Sequence, residues 1–491
     1  MTATLPQPVR TEAYIDGTFV PAADGATLPT INPATGETLA EIAACGEEDV
    51  DRAVRSARAA FESGVWSRKH PSERREVLMR LVALLEENLE DLALTESIDA
   101  GKPIADCRGF DLPDTINSIR WYAEAADKVF GKTTPAGSDA VGMIVHEPIG
   151  VVGAVLPWNF PLAMLAWKLG PALASGNSVV VKPPELTSLT TLRFAELATQ
   201  AGLPDGVLNV VPGHGHVAGK ALGLHMDVDI VSFTGSNEVG REFLRYSAES
   251  NLKKIVLELG GKAPQIVTAD NADRLETVAE DLAEAAFGNM GQNCTAGSRI
   301  LVHSSIIEEF VRHLVAVTEK HVVGDPQDEA TTIGSLVEES AVDRVERYVD
   351  EAVKDGASVR TGGSRVLQET GGWFYPPTVV TGVREDMAIA REEIFGPVVV
   401  VLPFEDVDDA IRIANDTPFG LAATVWSRDI DDALRIARSV RAGTVAVNGY
   451  TEGDITTPFG GYKESGFGGR DNGLEAFEQY TETKTIWITL R

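Results

Sequence analysis

Cysteine is scarce: only Cys45, Cys107 and Cys294 occur in 491 residues. Three thiols cannot build a disulfide framework, and so sparse a set suits a reducing compartment. Long apolar runs are missing as well. No stretch reaches the ~18 consecutive apolar residues of a membrane-spanning helix, and Met1 to Arg10 lacks the apolar core of a signal peptide. A cytoplasmic protein with no membrane partner is the expectation. Basic residues fall far short of acidic ones, 43 Lys and Arg against 73 Asp and Glu, for a net charge of −30. That balance argues against a nucleic-acid partner, because a phosphate backbone needs a basic surface. It favours solubility and, where focused near a cleft, attraction of a cationic substrate. A solvated acidic surface accounts for most of it. His214 and His216 stand close together but have no third ligand nearby, so a solvent-facing loop is expected there and no metal site. Internal repeats and low-complexity tracts are absent too.

What is present is ordinary globular composition, 44% hydrophobic and 24% charged. The chain is too long for one core and should divide into two or three domains. To about residue 125 it reads as a short strand, Ala13–Ile15, followed by helices. Asp49–Phe61 and Ser72–Asn88 repeat apolar residues with the period of a helix. From Gly150, short β-runs alternate with helices: Val151–Val155, Val179–Val181, Val207–Val211, Ile230–Thr234 and Ile255–Leu259. Alternation at this spacing predicts a parallel sheet with helices on its faces. A second α/β series follows, with Gln265–Val267, Ile300–His303, Val398–Leu402, Ala422–Trp426 and Thr444–Val447. Gly131–Val145 and Thr483–Leu490 look like strands with no partner nearby, edges that are hazardous unless another subunit covers them.

One of the three cysteines lies in a loop of small and polar residues, Gly291-Gln292-Asn293-Cys294-Thr295-Ala296-Gly297, between an amphipathic run and an apolar strand. Small residues let a substrate approach, and backbone N–H groups can face the sulfur. A thiolate is the strongest nucleophile that side chains offer near neutral pH. Glu258, in Leu257-Glu258-Leu259-Gly260-Gly261-Lys262, is an acid flanked by leucines at the end of an apolar strand. It is either a strand-end charge that escapes to solvent or a general base whose pKa is raised by desolvation. In Pro157-Trp158-Asn159-Phe160-Pro161, two prolines stiffen a strand exit around Asn159. Its amide either caps backbone or supplies an oxyanion donor for a tetrahedral intermediate. Nucleophile, base and donor together describe attack on a carbonyl.

Four further motifs stand with these: Val181-Lys182-Pro183-Pro184-Glu185, Phe233-Thr234-Gly235-Ser236, Glu392-Glu393-Ile394-Phe395-Gly396-Pro397-Val398 and Pro458-Phe459-Gly460-Gly461. In this order and at this spacing they resemble the NAD(P)-dependent aldehyde dehydrogenase superfamily over nearly the whole chain. The resemblance implies an α/β fold with three parts. Residues 1–129 and 149–260 would form a Rossmann-like NAD-binding domain, 261–461 an α/β catalytic domain, and 130–148 with 478–491 a small β oligomerisation flap of a homotetramer. Gly213-His214-Gly215-His216-Val217-Ala218-Gly219 has one residue too many before its last glycine to be the usual dinucleotide loop. The family instead places phosphate at Gly235-Ser236, where a helix over Asn237–Tyr246 would begin. Lys182 and Glu185, at the carboxyl edge of a buried strand, match the residues that hold the adenosine ribose. Glu185 would accept from a free 2′-hydroxyl and repel a 2′-phosphate, so NAD is favoured over NADP. Glu393 and Phe395 match the grip on the nicotinamide ribose and ring, and Trp158 joins the cofactor site.

The resemblance implies a mechanism in which Cys294 attacks an aldehyde to give a thiohemiacetal, Asn159 stabilises its oxyanion, and hydride passes to NAD. Glu258 then activates water to hydrolyse the thioester. A CoA-acylating relative usually lacks the Glu258 base. A cysteine amidase or thioesterase would need a histidine paired with Cys294, and a binding protein without turnover would not need the three groups intact. Lys168 matches a proton-relay lysine, but Asp471 stands where many relatives carry Glu, which leaves that relay open. Arg120–Ala125, the segment from Asn448 to Gly461, and Lys484–Ile488 are similar to a bacterial branch that oxidises γ-glutamyl-γ-aminobutyraldehyde and related ω-amino or guanidino aldehydes in polyamine breakdown. A broad-specificity aliphatic or aromatic aldehyde dehydrogenase is the alternative. Trp121, Phe160, Trp167 and Phe459 would line an aromatic tunnel, or stack in the core. One of Glu452 and Asp454 would attract a cationic substrate end, or both are solvated loop carboxylates.

Overall fold

A computed structural model describes residues 4–491. Five parallel strands, Val151–Val155, Ser178–Lys182, Leu208–Val210, Ile230–Thr234 and Lys254–Glu258, form the centre of an eight-stranded sheet. Ser178–Lys182 reads Ser-Val-Val-Val-Lys and is buried throughout, as expected of a parallel strand covered by helices on both faces. Antiparallel strands extend both edges: Ala13–Ile15 with Thr18–Val20 at one, Gly466–Phe467 at the other. A seven-stranded sheet takes over from Pro264. Its order is Ser358–Thr361, Thr378–Thr381, Val398–Phe404, Arg299–His303, Pro264–Val267, Ala422–Trp426 and Thr444–Val447. Only Ser358–Thr361 runs antiparallel there.

Both expected α/β series are therefore present, and the helical periods over residues 49–61 and 72–88 fall in helices Glu47–Ser63 and Pro71–Glu87. Two expectations need correction. The opening segment holds four short strands before its first helix, because Thr27–Ile31 and Thr38–Ala43 also pair, as a hairpin that buries Leu28, Thr30, Ile42 and Ala43, with too short and mixed an apolar pattern to reveal it. The two segments without an apparent partner pair with each other: Thr481–Thr489 lies antiparallel to Ala140–Pro148, in register from Thr481 opposite Pro148 to Thr489 opposite Ala140. Lys132–Thr134 adds a third strand. Sequence proximity could not show a pairing between chain positions so far apart. The outer edge of Thr481–Thr489 stays unpaired, and Trp487 on it is 59% exposed. Among the described residues no helix is long and apolar enough to cross a membrane.

Candidate active site

A cavity of about 490 Å³ lies at the carboxyl ends of the first sheet, facing loops of the second, where parallel α/β sheets place their ligands. The first sheet delivers Trp158 and Asn159 after Val151–Val155, Lys182 and Glu185 at and after Ser178–Lys182, Gly235 and Ser236 after Ile230–Thr234, and Glu258 at its own strand end. The second contributes Cys294 before Arg299–His303, Glu393 and Phe395 before Val398–Phe404, and the loop bearing Glu452 and Phe459. The paired glycines after Glu258 have a steric reason. A Cβ at Gly260 would collide with the Glu393 carboxylate, and one at Gly261 with the carbonyl of Cys294.

Cys294, Glu258 and Asn159 all line this cavity. Cys294 is half-buried as a residue, yet its sulfur sits deep enough for desolvation to dominate. Burial, then the charges of Glu452, Glu393 and Glu258, push its thiol well up. Glu258 is buried, and neither carboxylate oxygen has a well-formed hydrogen bond, the Gly461 amide making only a weak approach. Burial first, and Asp471 second, raise its pKa well above the usual carboxylate range, against the pull of Lys168 and Arg470. It is not a charge that escapes to solvent, and the upward shift is the direction a general base needs. Asn159 donates through Nδ2 to the Gln292 carbonyl at 2.9 Å. An amide nitrogen carries two hydrogens, so one remains.

Lys168 is buried at 3.1 Å from the Ser232 hydroxyl and 3.3 Å from the Asp471 carboxylate. The shorter acid at position 471 thus still reaches the lysine, and Asp471 also lines the cavity beside Glu258. Lys182 and Glu185 are joined at 2.6 Å. Burial pushes Glu185 up, but Lys182 and the Gly215 amide outweigh it, leaving its pKa below the ordinary value. Ser236 caps helix Asn237–Glu249, its hydroxyl accepting from Val239 N. Phe395 has a left-handed backbone, φ 56°, and its ring meets Trp158 edge-on with centroids 5.3 Å apart. Glu393 accepts from the Gly261 amide at 2.8 Å, and burial drives its pKa up to about 7.

These residues fit a dinucleotide: a carboxylate–lysine pair for ribose hydroxyls, a capped helix start for phosphate, and a buried acceptor beside an aromatic ring. His214 stacks on His216, with ring centroids 5.3 Å apart. No group of three His, Cys, Asp or Glu among the described residues is placed to hold a metal ion.

On the substrate wall, Trp167 meets Phe459 at 5.2 Å between centroids and packs with Leu421, Met164 and Cys294. Phe160 also lines the cavity. Trp121 does not; it packs partly buried against the neighbouring core. Glu452 lines the cavity, accepting from the Thr295 hydroxyl, from Tyr450 Oη at 3.2 Å and from Asn293 Nδ2 at 3.3 Å. Asp454 is exposed, binds Thr456 at 2.6 Å and is not part of the wall. Two site residues escaped the sequence reading. Asp114 accepts from Trp167 Nε1 at 2.8 Å, and its pKa is pushed up to about 6 by burial and then by Glu452. Tyr450 is tied to Thr295 at 2.8 Å. Asp114 sits in no motif, and Tyr450, although inside the segment from Asn448 to Gly461, has no role assigned to it there; only the folding of distant segments brings them here.

The Aldehyde dehydrogenase family model matches residues 19–486. An aminoacetaldehyde dehydrogenase of Pseudomonas aeruginosa is 54% identical over 486 residues, covering 99% of this chain and 97% of that protein. A solved γ-glutamyl-γ-aminobutyraldehyde dehydrogenase of Burkholderia cenocepacia superposes with TM-score 0.96 at 50% identity, covering 98% of this chain and 97% of the other. A solved indole-3-acetaldehyde dehydrogenase in complex with NAD+ gives TM-score 0.97 at 49% identity over the same shares. With the cavity they share a fold around, these likenesses make this chain a member of the aldehyde dehydrogenase family, an NAD-dependent oxidoreductase.

Proposed function

We propose that the enzyme oxidises an ω-amino or γ-glutamylamino aldehyde to its carboxylic acid through a covalent adduct at Cys294. The observation that carries the covalent reading is the meeting, on one cavity, of a cysteine, an amide donor with a hydrogen to spare, and a buried carboxylate lacking a well-formed hydrogen bond. The sulfur adds to the aldehyde carbon and its proton passes to Glu258. The oxyanion of the thiohemiacetal is held by Asn159 and the Cys294 amide. NAD, when bound, supplies the hydride acceptor, which converts the adduct to a thioester. Once Glu258 has released to solvent the proton it took from the thiol, it takes a proton from water as that water attacks the thioester carbon. The tetrahedral adduct collapses, expelling the thiolate and releasing the acid. Lys168 and Asp471 offer the base a buried path for that proton. Lys182, Glu185, Gly235, Ser236, Trp158, Glu393 and Phe395 hold the cofactor. Units at 1–129 with 149–260, 261–461, and 130–148 with 478–491 are the corresponding domains. The unpaired edge at Trp487 suits pairing into a tetramer, and the compartment is the cytoplasm.

The amino-aldehyde reading rests on Glu452, a carboxylate on the cavity wall near the sulfur with Asp114 behind Trp167. A cationic substrate end there would relieve the repulsion between them. Glu452→Gln is expected to raise KM for 3-aminopropionaldehyde about two- to fivefold at low salt and to leave KM for propionaldehyde unchanged. Asp454→Asn, on the exposed loop, is expected to change neither. Equal effects on charged and neutral aldehydes would remove the electrostatic basis. A second reading, an aromatic aldehyde, is favoured by the apolar cluster of Trp167, Phe459 and Leu421 and by the likeness to an indole-3-acetaldehyde dehydrogenase. Ranking an aldehyde panel by kcat/KM, with NADH absorbance as the readout, decides between them.

Glu393 predicts a pH dependence. A carboxyl group accepts two ribose hydrogen bonds only when ionised, and Glu393, raised to about 7, is largely protonated below that pH. NAD affinity, followed by quenching of protein fluorescence, is therefore expected to strengthen as pH rises from about 6 to 8. That slope should vanish in Glu393→Gln.

A further inference from the structure

Lys102 belongs to none of the motifs above. It follows the left-handed Gly101 that ends helix Leu89–Ala100, and its side chain is buried. The ammonium pairs with Asp111 at 2.6 Å, donates to the backbone carbonyl of Asn159 at 3.2 Å, and stands 4.1 Å from the centroid of the Phe160 ring. An ammonium out of water needs its charge balanced and its hydrogens placed. Here Asp111 balances the charge, and the remaining contacts fall on the carbonyl of the oxyanion residue and the aromatic face beside it.

That carbonyl has a second donor. Asn289 Nδ2 reaches it at 3.0 Å and also reaches the Gln292 carbonyl at 3.0 Å. The Gln292 carbonyl is the one that accepts from the Asn159 side chain at 2.9 Å. Asn289 makes both contacts from a left-handed backbone, φ 52°, in the turn that leads to Cys294. The result is a closed set of contacts. Lys102 and Asn289 both donate to the Asn159 carbonyl, and Asn289 and the Asn159 side chain share an acceptor two residues before the nucleophile. With both ends of Asn159 fixed, the free amide hydrogen has one direction to point. Without Lys102 the peptide rests on a single donor and can rotate.

We propose that Lys102 is a positioning residue for the oxyanion site, acting on the reaction through Asn159. This rests on the oxyanion role given to Asn159 above. The test is a double-mutant cycle on the rate of the first-turnover NADH burst, with Asn159→Ala, the pair Lys102→Met with Asp111→Asn, and their combination. Removing Asp111's charge together with the lysine avoids leaving that carboxylate buried without its ion-pair partner, and Lys102→Met alone serves as the second variant. The Lys102 change is expected to slow the burst about tenfold to a hundredfold in the parent, the scale of a misplaced catalytic group, and less than twofold in the Asn159→Ala background. NAD affinity and the rate of Cys294 alkylation by iodoacetamide should stay within about twofold of the parent. Multiplicative effects in the combined variant would overturn the proposal, because Lys102 would then act on the fold or elsewhere in the site. An unchanged burst in Asn159→Ala would instead refute the oxyanion role of Asn159, and the proposal with it.

Discussion

Replacing Cys294 with alanine is expected to lower kcat for aldehyde oxidation by at least about 10⁴-fold, since no other thiol lines the cavity. NAD affinity should be nearly unchanged, because the groups proposed to hold the cofactor lie on Lys182, Glu185, Ser236 and Glu393, which Cys294 does not support by any hydrogen bond. The other two cysteines provide the control. Cys45 and Cys107 are fully buried, and burial raises both thiols. Replacing either with alanine removes a sulfur from a packed core, for a loss of about 1 kcal/mol of stability and no change in turnover. Retained oxidation in Cys294→Ala would sink the covalent reading outright.

Glu258→Gln is expected to separate the two halves of the reaction. If the carboxylate serves mainly to activate water, the variant should release a stoichiometric burst of NADH and then stall as a thioester. Steady-state turnover should fall about 10²- to 10⁴-fold, the usual range for a lost general base. Intact-mass detection of an acyl adduct on Cys294 is the readout. The raised pKa of Glu258 sets the sign of the pH effect. Base catalysis needs the carboxylate, so hydrolysis should accelerate as pH rises through the shifted pKa, and that limb should be missing in Glu258→Gln. The structure also raises the stake on the first half. Burial and three carboxylates hold the Cys294 thiol protonated, so some base must take its proton. Loss of both burst and adduct would show that Glu258 performs that step.

The repetition of short buried strands and helices was legible in the sequence because a parallel sheet covered on both faces writes itself as local apolar runs, as at Val179–Val181. Cys294, Glu258 and Asn159 stood out for a related reason: each is a polar group in a setting where packing alone would not put one. What a single chain segment cannot encode is which distant segment it will meet. The pairing of Thr481–Thr489 with Ala140–Pro148, the reach of Asp471 to Lys168 and the separation of Glu452 on the cavity wall from exposed Asp454 are all of this kind. So are Asp114 behind Trp167 and Lys102 beneath Asn159. Local pattern determined the elements and singled out Cys294, Glu258 and Asn159, which the fold brings to one cavity. Long-range packing alone decided which buried charges stand next to them, because electrostatic and hydrogen-bond partners depend on distances in space and not on spacing along the chain.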